Sequence, residues 1–262
     1  MFILSIVALT ISCNDEEVIP VSKTTDALVT RVSRSGVTFL EFFYDVDKKL
    51  YRMNQNYLGT LSTYTTYEYN QGVLKELKQY NADDHSLDYR IVFTHDNFQR
   101  VIKGERYSSN SDQVVATYHF EYDVEGLLKI KKFFVYSQVS YLEEYTYDDK
   151  GKEITKVTTY NEFRTQHDYS PTNRTMPDLW KEYTFILQIS EGYDEPIKNM
   201  FISNTRYRVW NNANELLNET SVEASGQEYD DDGNLIRQIV TRKDVLDSEH
   251  PDIIEVMSYD FN

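Results

Sequence analysis

A turn signature that returns on a fixed period constrains this chain more than any other feature. It reads loosely Tyr-Asp-x-x-Gly-x-Leu, and its fullest copies are Tyr122-Asp123-Val124-Glu125-Gly126-Leu127-Leu128 and Tyr229-Asp230-Asp231-Asp232-Gly233-Asn234-Leu235. Tyr147-Asp148-Asp149-Lys150-Gly151 keeps the turn, Tyr44-Asp45 puts Lys48 at the glycine position and keeps Leu50, and Tyr69-Asn70-Gln71-Gly72 is one residue shorter. His95-Asp96 and Trp210-Asn211 replace the tyrosine, with Val101 and Leu216 following. The leading residues at 44, 69, 95, 122 and 147 are spaced 25, 26, 27 and 25 apart. A period held over four intervals marks an array of like units, each unable to bury its apolar face alone.

The unit is a hairpin turn. Asp or Asn opens a type I turn by bonding its own backbone, and glycine supplies the positive φ that the following bulge needs, which assigns Gly72, Gly126, Gly151 and Gly233 as turn glycines. On either side the residues alternate, as in Ala116, Tyr118, Phe120 and Tyr122 against Thr117, His119 and Glu121. Each repeat is therefore two antiparallel strands, and connections this short lay successive hairpins side by side. The expected fold is all-β: an antiparallel β-meander of repeated hairpins forming a twisted or curled open sheet, with one irregular insertion.

The insertion falls where the period breaks, in the interval of 63 between Tyr147 and Trp210. Over about residues 164–200 it carries Pro171, Pro177 and Pro196 around Asp178-Leu179-Trp180-Lys181-Glu182-Tyr183-Thr184-Phe185-Ile186-Leu187-Gln188. Asp178 suits the cap of a short helix with Trp180, Tyr183 and Leu187 on one face, while Thr184-Phe185-Ile186 suits a strand equally well. Trp180, Tyr183 and Tyr193 within it, with Trp210 beyond it, are the candidate binding residues. A hydrophobic plug over one sheet face would have the same composition.

The N-terminus reads as an address. Cys13, the single cysteine, closes the uncharged run Met1–Ser12 and precedes Asn14-Asp15-Glu16-Glu17. That run is far short of the roughly 20 apolar residues that span a bilayer, and a lone cysteine makes no internal disulfide. The alternative is a buried N-terminal strand ending in an inert thiol. The segment resembles bacterial lipoprotein signals, in which the cysteine becomes the acylated first residue, and the acidic residues after it resemble the export tag of surface-exposed Bacteroides-type lipoproteins. The resemblance implies a signal peptide at 1–12, a lipidated tether at 13–28, a repeat domain at 29–262, and an outer-membrane lipoprotein on the cell surface.

The formal charge of −16 lies wholly beyond residue 12. Such a surface repels phosphate backbones and anionic headgroups, which speaks against nucleic acid binding and electrostatic membrane adsorption. The chain has no Gly-x-Ser-x-Gly, no His-Glu-x-x-His and no phosphate-cradling glycine loop, and its five histidines show no metal-ligand spacing. Asp230-Asp231-Asp232-Gly233-Asn234 imitates the start of a calcium loop, but its twelfth position is Thr241. Glu143 and Glu144 are adjacent in a strand and point to opposite faces. No enzyme, metal or cofactor is expected. The 22 tyrosines, alternating as in Tyr141, Tyr145 and Tyr147, form ring ladders across strands, either as packing or as a platform for sugar rings.

The units at Tyr122–Leu128, Tyr147–Gly151 and Tyr229–Leu235 resemble the YD repeats of RHS-type proteins, and more closely those of small YD-repeat surface lipoproteins of Bacteroides-type bacteria, of unknown function. The resemblance covers most of residues 38–262 and implies the strand-turn-strand unit rather than an activity. It leaves a lipid-anchored envelope binding module as the leading function, with a glycan or an envelope protein as its partner. A structural or assembly component that holds a protein by a free sheet edge is the alternative, and a glycoside-acting enzyme a minor one.

Overall fold

The computed structural model describes residues 27–109, 111–172, 186, 202–232, 234–246 and 251–261. The first strands are β1 (Val29–Arg34), β2 (Val37–Tyr44), β3 (Leu50–Tyr57), β4 (Thr60–Asn70), β5 (Val73–Asn81) and β6 (Leu87–His95). They are followed by β7 (Val101–Ser108), β8 (Val114–Tyr122), β9 (Leu128–Val135), β10 (Gln138–Tyr147), β11 (Glu153–Tyr160) and β12 (Phe163–Pro171). The last are β13 (Ile202–Asn211), β14 (Leu216–Tyr229), β15 (Leu235–Asp244) and β16 (Ile253–Phe261). Each strand pairs antiparallel with its neighbours in sequence, and β1 pairs with β16, which closes a sixteen-stranded barrel.

The open sheet expected from the sequence is thus corrected to a closed one. The closing strand β1 precedes the first turn signature, so the repeats alone give no sign of it. Physically, a twisted sheet rarely grows far past about ten strands without curling, and closure removes the two unpaired edges that an open meander leaves. β12 (Phe163–Pro171) also takes in the first residues of the stretch 164–200 that the sequence assigns to the irregular insertion.

Hairpins alternate between the two ends of the barrel. The turns after β2, β4, β6, β8, β10 and β14 gather at one end, here the repeat rim. In five of the turns there, at Asp45, Asp96, Asp123, Asp148 and Asp230, the aspartate Oδ1 accepts the backbone N–H four residues on, at 2.8–3.0 Å. Four of these also bond the N–H two residues on. The left-handed position is filled by Gly126 (φ 86°) and Gly151 (φ 73°), but also by Lys48 (φ 62°) and Gln99 (φ 65°), which explains why the glycine is dispensable in degenerate copies. Gln71 and Gly72 both have positive φ, the two-residue hairpin that accounts for the shorter unit. Gly233 lies outside the described residues. The Trp210-Asn211 unit has the same turn chemistry, with Asn211 Oδ1 accepting from Ala213 and Glu215, yet it sits at the opposite end, the far rim.

After each repeat turn the register shifts by a bulge, and this places two residues three apart on the inner face: Leu50 and Met53, Leu74 and Leu77, Val101 and Gly104, Leu128 and Lys131, Leu235 and Gln238 are all buried. The repeat tyrosines point inward beside them. Their hydroxyls donate across the neighbouring strand to the carbonyl of the residue there: Tyr44 to Val29 at 2.8 Å, Tyr69 to Leu50 at 3.0 Å, Tyr122 to Val101 at 2.7 Å and Tyr147 to Leu128 at 2.6 Å. Each bond lies just beyond the last ladder pair of its two strands, such as Lys103 with His119 for Tyr122, so the tyrosine extends the pairing where the backbone bonds stop. His95 makes the corresponding bond to Leu74.

The inner face is largely apolar and aromatic, as in the row Tyr67, Leu77, Ile91 and Ala116, where the one charged member, Arg106, lies over the Tyr89 ring at 3.8 Å. Ile186, the described residue of the insertion, is helical, 2% exposed and part of this core. The outer face is charged. Ion pairs cross it at Arg31–Asp260, Lys78–Glu76, Arg90–Glu76, Lys132–Glu121, Arg206–Glu219 and Arg237–Glu228, which distributes them around the whole circumference.

Candidate functional site

Toward the far rim the inner face changes character. On β8 to β12 the inward rings of Tyr118, Phe133, Tyr141, Tyr160 and Phe163 follow one another from strand to strand, with centroids 4.6, 5.0, 5.8 and 4.3 Å apart. The bulge-driven alternation puts them on one side, and the antiparallel register sets Phe133 opposite Tyr118 and Tyr141 opposite Tyr160. The ribbon runs from buried Tyr118 to Phe163, which is 36% exposed at the rim, and between them Phe133, Tyr141 and Tyr160 are half-buried. His167 and Tyr207, with centroids 4.7 Å apart, continue the aromatic lining onto β13.

A charged pair stands in the ribbon. Lys131, with its side chain 4% exposed, meets Glu143 at 3.3 Å, and Glu143 also accepts the Tyr145 hydroxyl at 2.7 Å. The ammonium group lies 5.8 Å from the Tyr118 ring and 5.7 Å from the Tyr141 ring, so cation and rings desolvate each other. Burial pushes the Tyr160 phenol above its ordinary value, and Glu143 and then Tyr207 add to the shift. The half-buried rings and their phenolic hydroxyls, braced from beneath by the buried Lys131–Glu143 pair, make a surface for a ligand with both apolar faces and hydroxyl groups. Glu144 points away from this pair and is exposed, so the two adjacent carboxylates do not act on one bond.

Trp210 is elsewhere. It faces outward on β13, with the Arg164 guanidinium 4.6 Å and that of Arg208 5.7 Å from its ring. Trp180, Tyr183 and Tyr193, like the lipidation candidate Cys13, lie outside the described residues. Gly72, Gly126 and Gly151 sit at the repeat rim, opposite the ribbon's open end. Among the described residues no cluster of metal-ligating side chains occurs. Lys131, Phe133, Tyr160 and Phe163 were not singled out from sequence as site residues, because the register shift after Gly126 breaks the alternation that would reveal their side of the sheet.

No protein-family model matches the chain, and no curated protein matches it. Among solved structures, a porin-like protein from Bacteroides uniformis is similar over 93% of this chain and 98% of that one, with 11% identity and a TM-score of 0.58. A porin-like protein from Bacteroides vulgatus is similar over 90% of this chain and 99% of that one, at 12% identity and a TM-score of 0.42. A chain of the TcdB2-TccC3 complex is similar over 82% of this chain but only 14% of that one, at 9% identity and a TM-score of 0.31. The first of these likenesses extends along nearly the full length of both chains, and it is a likeness of fold alone.

Proposed function

We propose that this protein is a lipid-anchored interaction module of the bacterial cell surface, tethered to the outer membrane through Cys13, that binds a glycan at the far rim of a barrel that does not itself cross the membrane. The observation that carries the reading is the half-exposed aromatic ribbon with its embedded Lys131–Glu143 pair. Rings of this kind stack on the apolar faces of sugars, while the phenols bond hydroxyl groups and the buried ion pair braces the strands that carry the rings. A spanning barrel needs an outward apolar band about 25 Å tall, and a charge on its lipid face costs about 2–4 kcal/mol at the midplane. The ion pairs around this outer wall suit water instead, which is why the tether rather than the wall is assigned to the membrane. The YD-like turns supply the scaffold, and the reading is one of binding rather than catalysis.

An assembly role through edge-strand pairing loses support, since β1 and β16 cover each other's edges. A protein partner would have to engage the rim. The test is a glycan array probed with residues 14–262, which contain every strand of the barrel. Loss of binding in Tyr160→Ala and Phe163→Ala, with binding kept in Trp210→Ala, is the expected result. A blank array sinks the glycan assignment and favours a protein ligand.

A further inference from the structure

The far rim has a second property that glycan recognition does not require. Seven of its eight hairpins expose large apolar side chains: Val37; Tyr57 and Leu58; Val114; Tyr136 and Val139; Phe163; Leu216 and Leu217; and Val245, Leu246, Ile253 and Ile254. Leu58 is 82% and Tyr136 77% exposed, both at turn tips. Together they leave on the order of 1,000 Å² of apolar surface in water, spread over seven hairpins rather than gathered in one patch. Among the described residues the repeat rim exposes fewer, mainly Val46, Phe98 and Val124 at its turns.

Charge narrows what this ring can meet. The eight far-rim connections carry Asp83, Asp84, Asp112, Glu162, Glu215 and Asp252, and none of their described residues is lysine or arginine; Arg90 and Lys243 of the strands pair with Asp112 and Asp252, and the balance stays acidic. A second copy of the chain would bring acidic groups against acidic groups, and an anionic lipid surface would do the same. The outermost group of a zwitterionic phospholipid headgroup is a cation, which complements both the carboxylates and the faces of Tyr57 and Tyr136. The form of the patch agrees. Barrel closure makes the hairpin tips a ring on one plane, with adjacent pairs such as Tyr57-Leu58 and Leu216-Leu217 separated by polar residues. A fluid apolar phase accepts separate projections at any spacing, whereas a folded partner would need a matching ring.

We propose that the far rim is a docking surface for a zwitterionic lipid bilayer, into which these side chains insert shallowly while the acidic loops stay among the headgroups. The inference builds on the reading of that rim as the working end, and it implies that a glycan reaching the ribbon is one borne on a membrane. β1 starts at the repeat rim, and the roughly 15 residues of chain between Cys13 and β1 have a maximum reach of about 50 Å, more than the roughly 30 Å height of the barrel, so the same membrane is within reach of both anchor and lip.

The test is flotation of residues 14–262, which lack Cys13 and any acyl chain, with phosphatidylethanolamine/phosphatidylcholine vesicles. The protein is expected to float with them, to float less as phosphatidylglycerol replaces the zwitterionic lipid, and to lose roughly tenfold or more of its binding in Leu58→Asp/Tyr136→Asp. Both positions are exposed turn residues, and an unchanged melting temperature shows that the fold survives. Absence from the floated fraction, or equal flotation of the double variant, overturns the proposal. Sedimentation showing a dimer without lipid that the same variant dissociates would also overturn it and make the ring a self-association surface. A positive glycan array with no flotation would remove this inference and leave the proposed function standing, and the converse would separate them the other way.

Discussion

Replacing Tyr122 with phenylalanine tests whether the repeat keeps its tyrosine for the ring or for the hydroxyl. The substitution leaves the ring's packing and removes one bond, the 2.7 Å donation to the Val101 carbonyl. That carbonyl belongs to a residue that is 4% exposed, so water replaces the lost donor poorly. A net hydrogen bond contributes about 0.5–1.5 kcal/mol, and desolvation of a stranded acceptor takes the cost to about 1–3 kcal/mol. For a domain of this size that lowers the melting temperature by roughly 2–4 °C per kcal/mol. Tyr44→Phe, Tyr69→Phe and Tyr147→Phe remove the equivalent bonds two or four strands apart, about 10 Å or more, where effects add to within about 0.5 kcal/mol. The quadruple variant should therefore lose about 4–12 kcal/mol in urea unfolding. Tyr136→Phe, at an exposed turn, is the control and should change nothing. If Tyr122→Phe matches Tyr136→Phe, the hydroxyl bonds contribute nothing and the repeat tyrosine is there for packing alone.

Two further outcomes follow from the inner face. Lys131→Met strands the Glu143 carboxylate and should cost about 3–5 kcal/mol in chemical denaturation, most of it recovered by adding Glu143→Gln; a small loss with no recovery would show that the pair is not coupled. His95 has its imidazole held below the ordinary value by burial, against the opposing pull of Asp96 and the bond to Leu74, so the folded state favours the neutral ring. Stability tied to it is full above the unfolded value near 6.5 and declines as pH falls through the lower folded value, and His95→Tyr, which restores the repeat residue, should abolish that part of the pH dependence of the melting temperature.

Much of the hairpin array can be read in the sequence, because its signals are local. An aspartate that bonds the backbone N–H four residues on acts within five residues, and the 25–27-residue period follows from two strands and two turns. Closure cannot be read in the same way. It depends on β1, which carries no turn signature, finding β16 at the far end of the chain. The sidedness of the strands is hidden for a different reason: the bulge after each turn sets Leu128 and Lys131 on one face, so counting by twos from the turn puts the lysine outside. The ring ladder was legible from the alternation of Tyr141, Tyr145 and Tyr147, but its continuation through Phe133, Tyr160 and Phe163 requires the register between strands. The exposed ring at the far rim is scattered through seven hairpins and becomes a single surface only when the barrel closes.

The seam between β1 and β16 differs from the other fifteen strand pairings in when it can form. Each of those joins neighbours in sequence, and all but β12–β13, which residues 172–201 separate, can zip as a local hairpin, whereas the seam joins residues such as Thr30 and Asp260, 230 positions apart. Closing a loop of that length costs on the order of 5 kcal/mol in chain entropy. The meander can therefore assemble progressively, with the seam forming last and only after fourteen intermediate strands have brought its two sides together. Until then the chain presents two unpaired edges, and the interval before closure is when it is most exposed to pairing with another copy of itself.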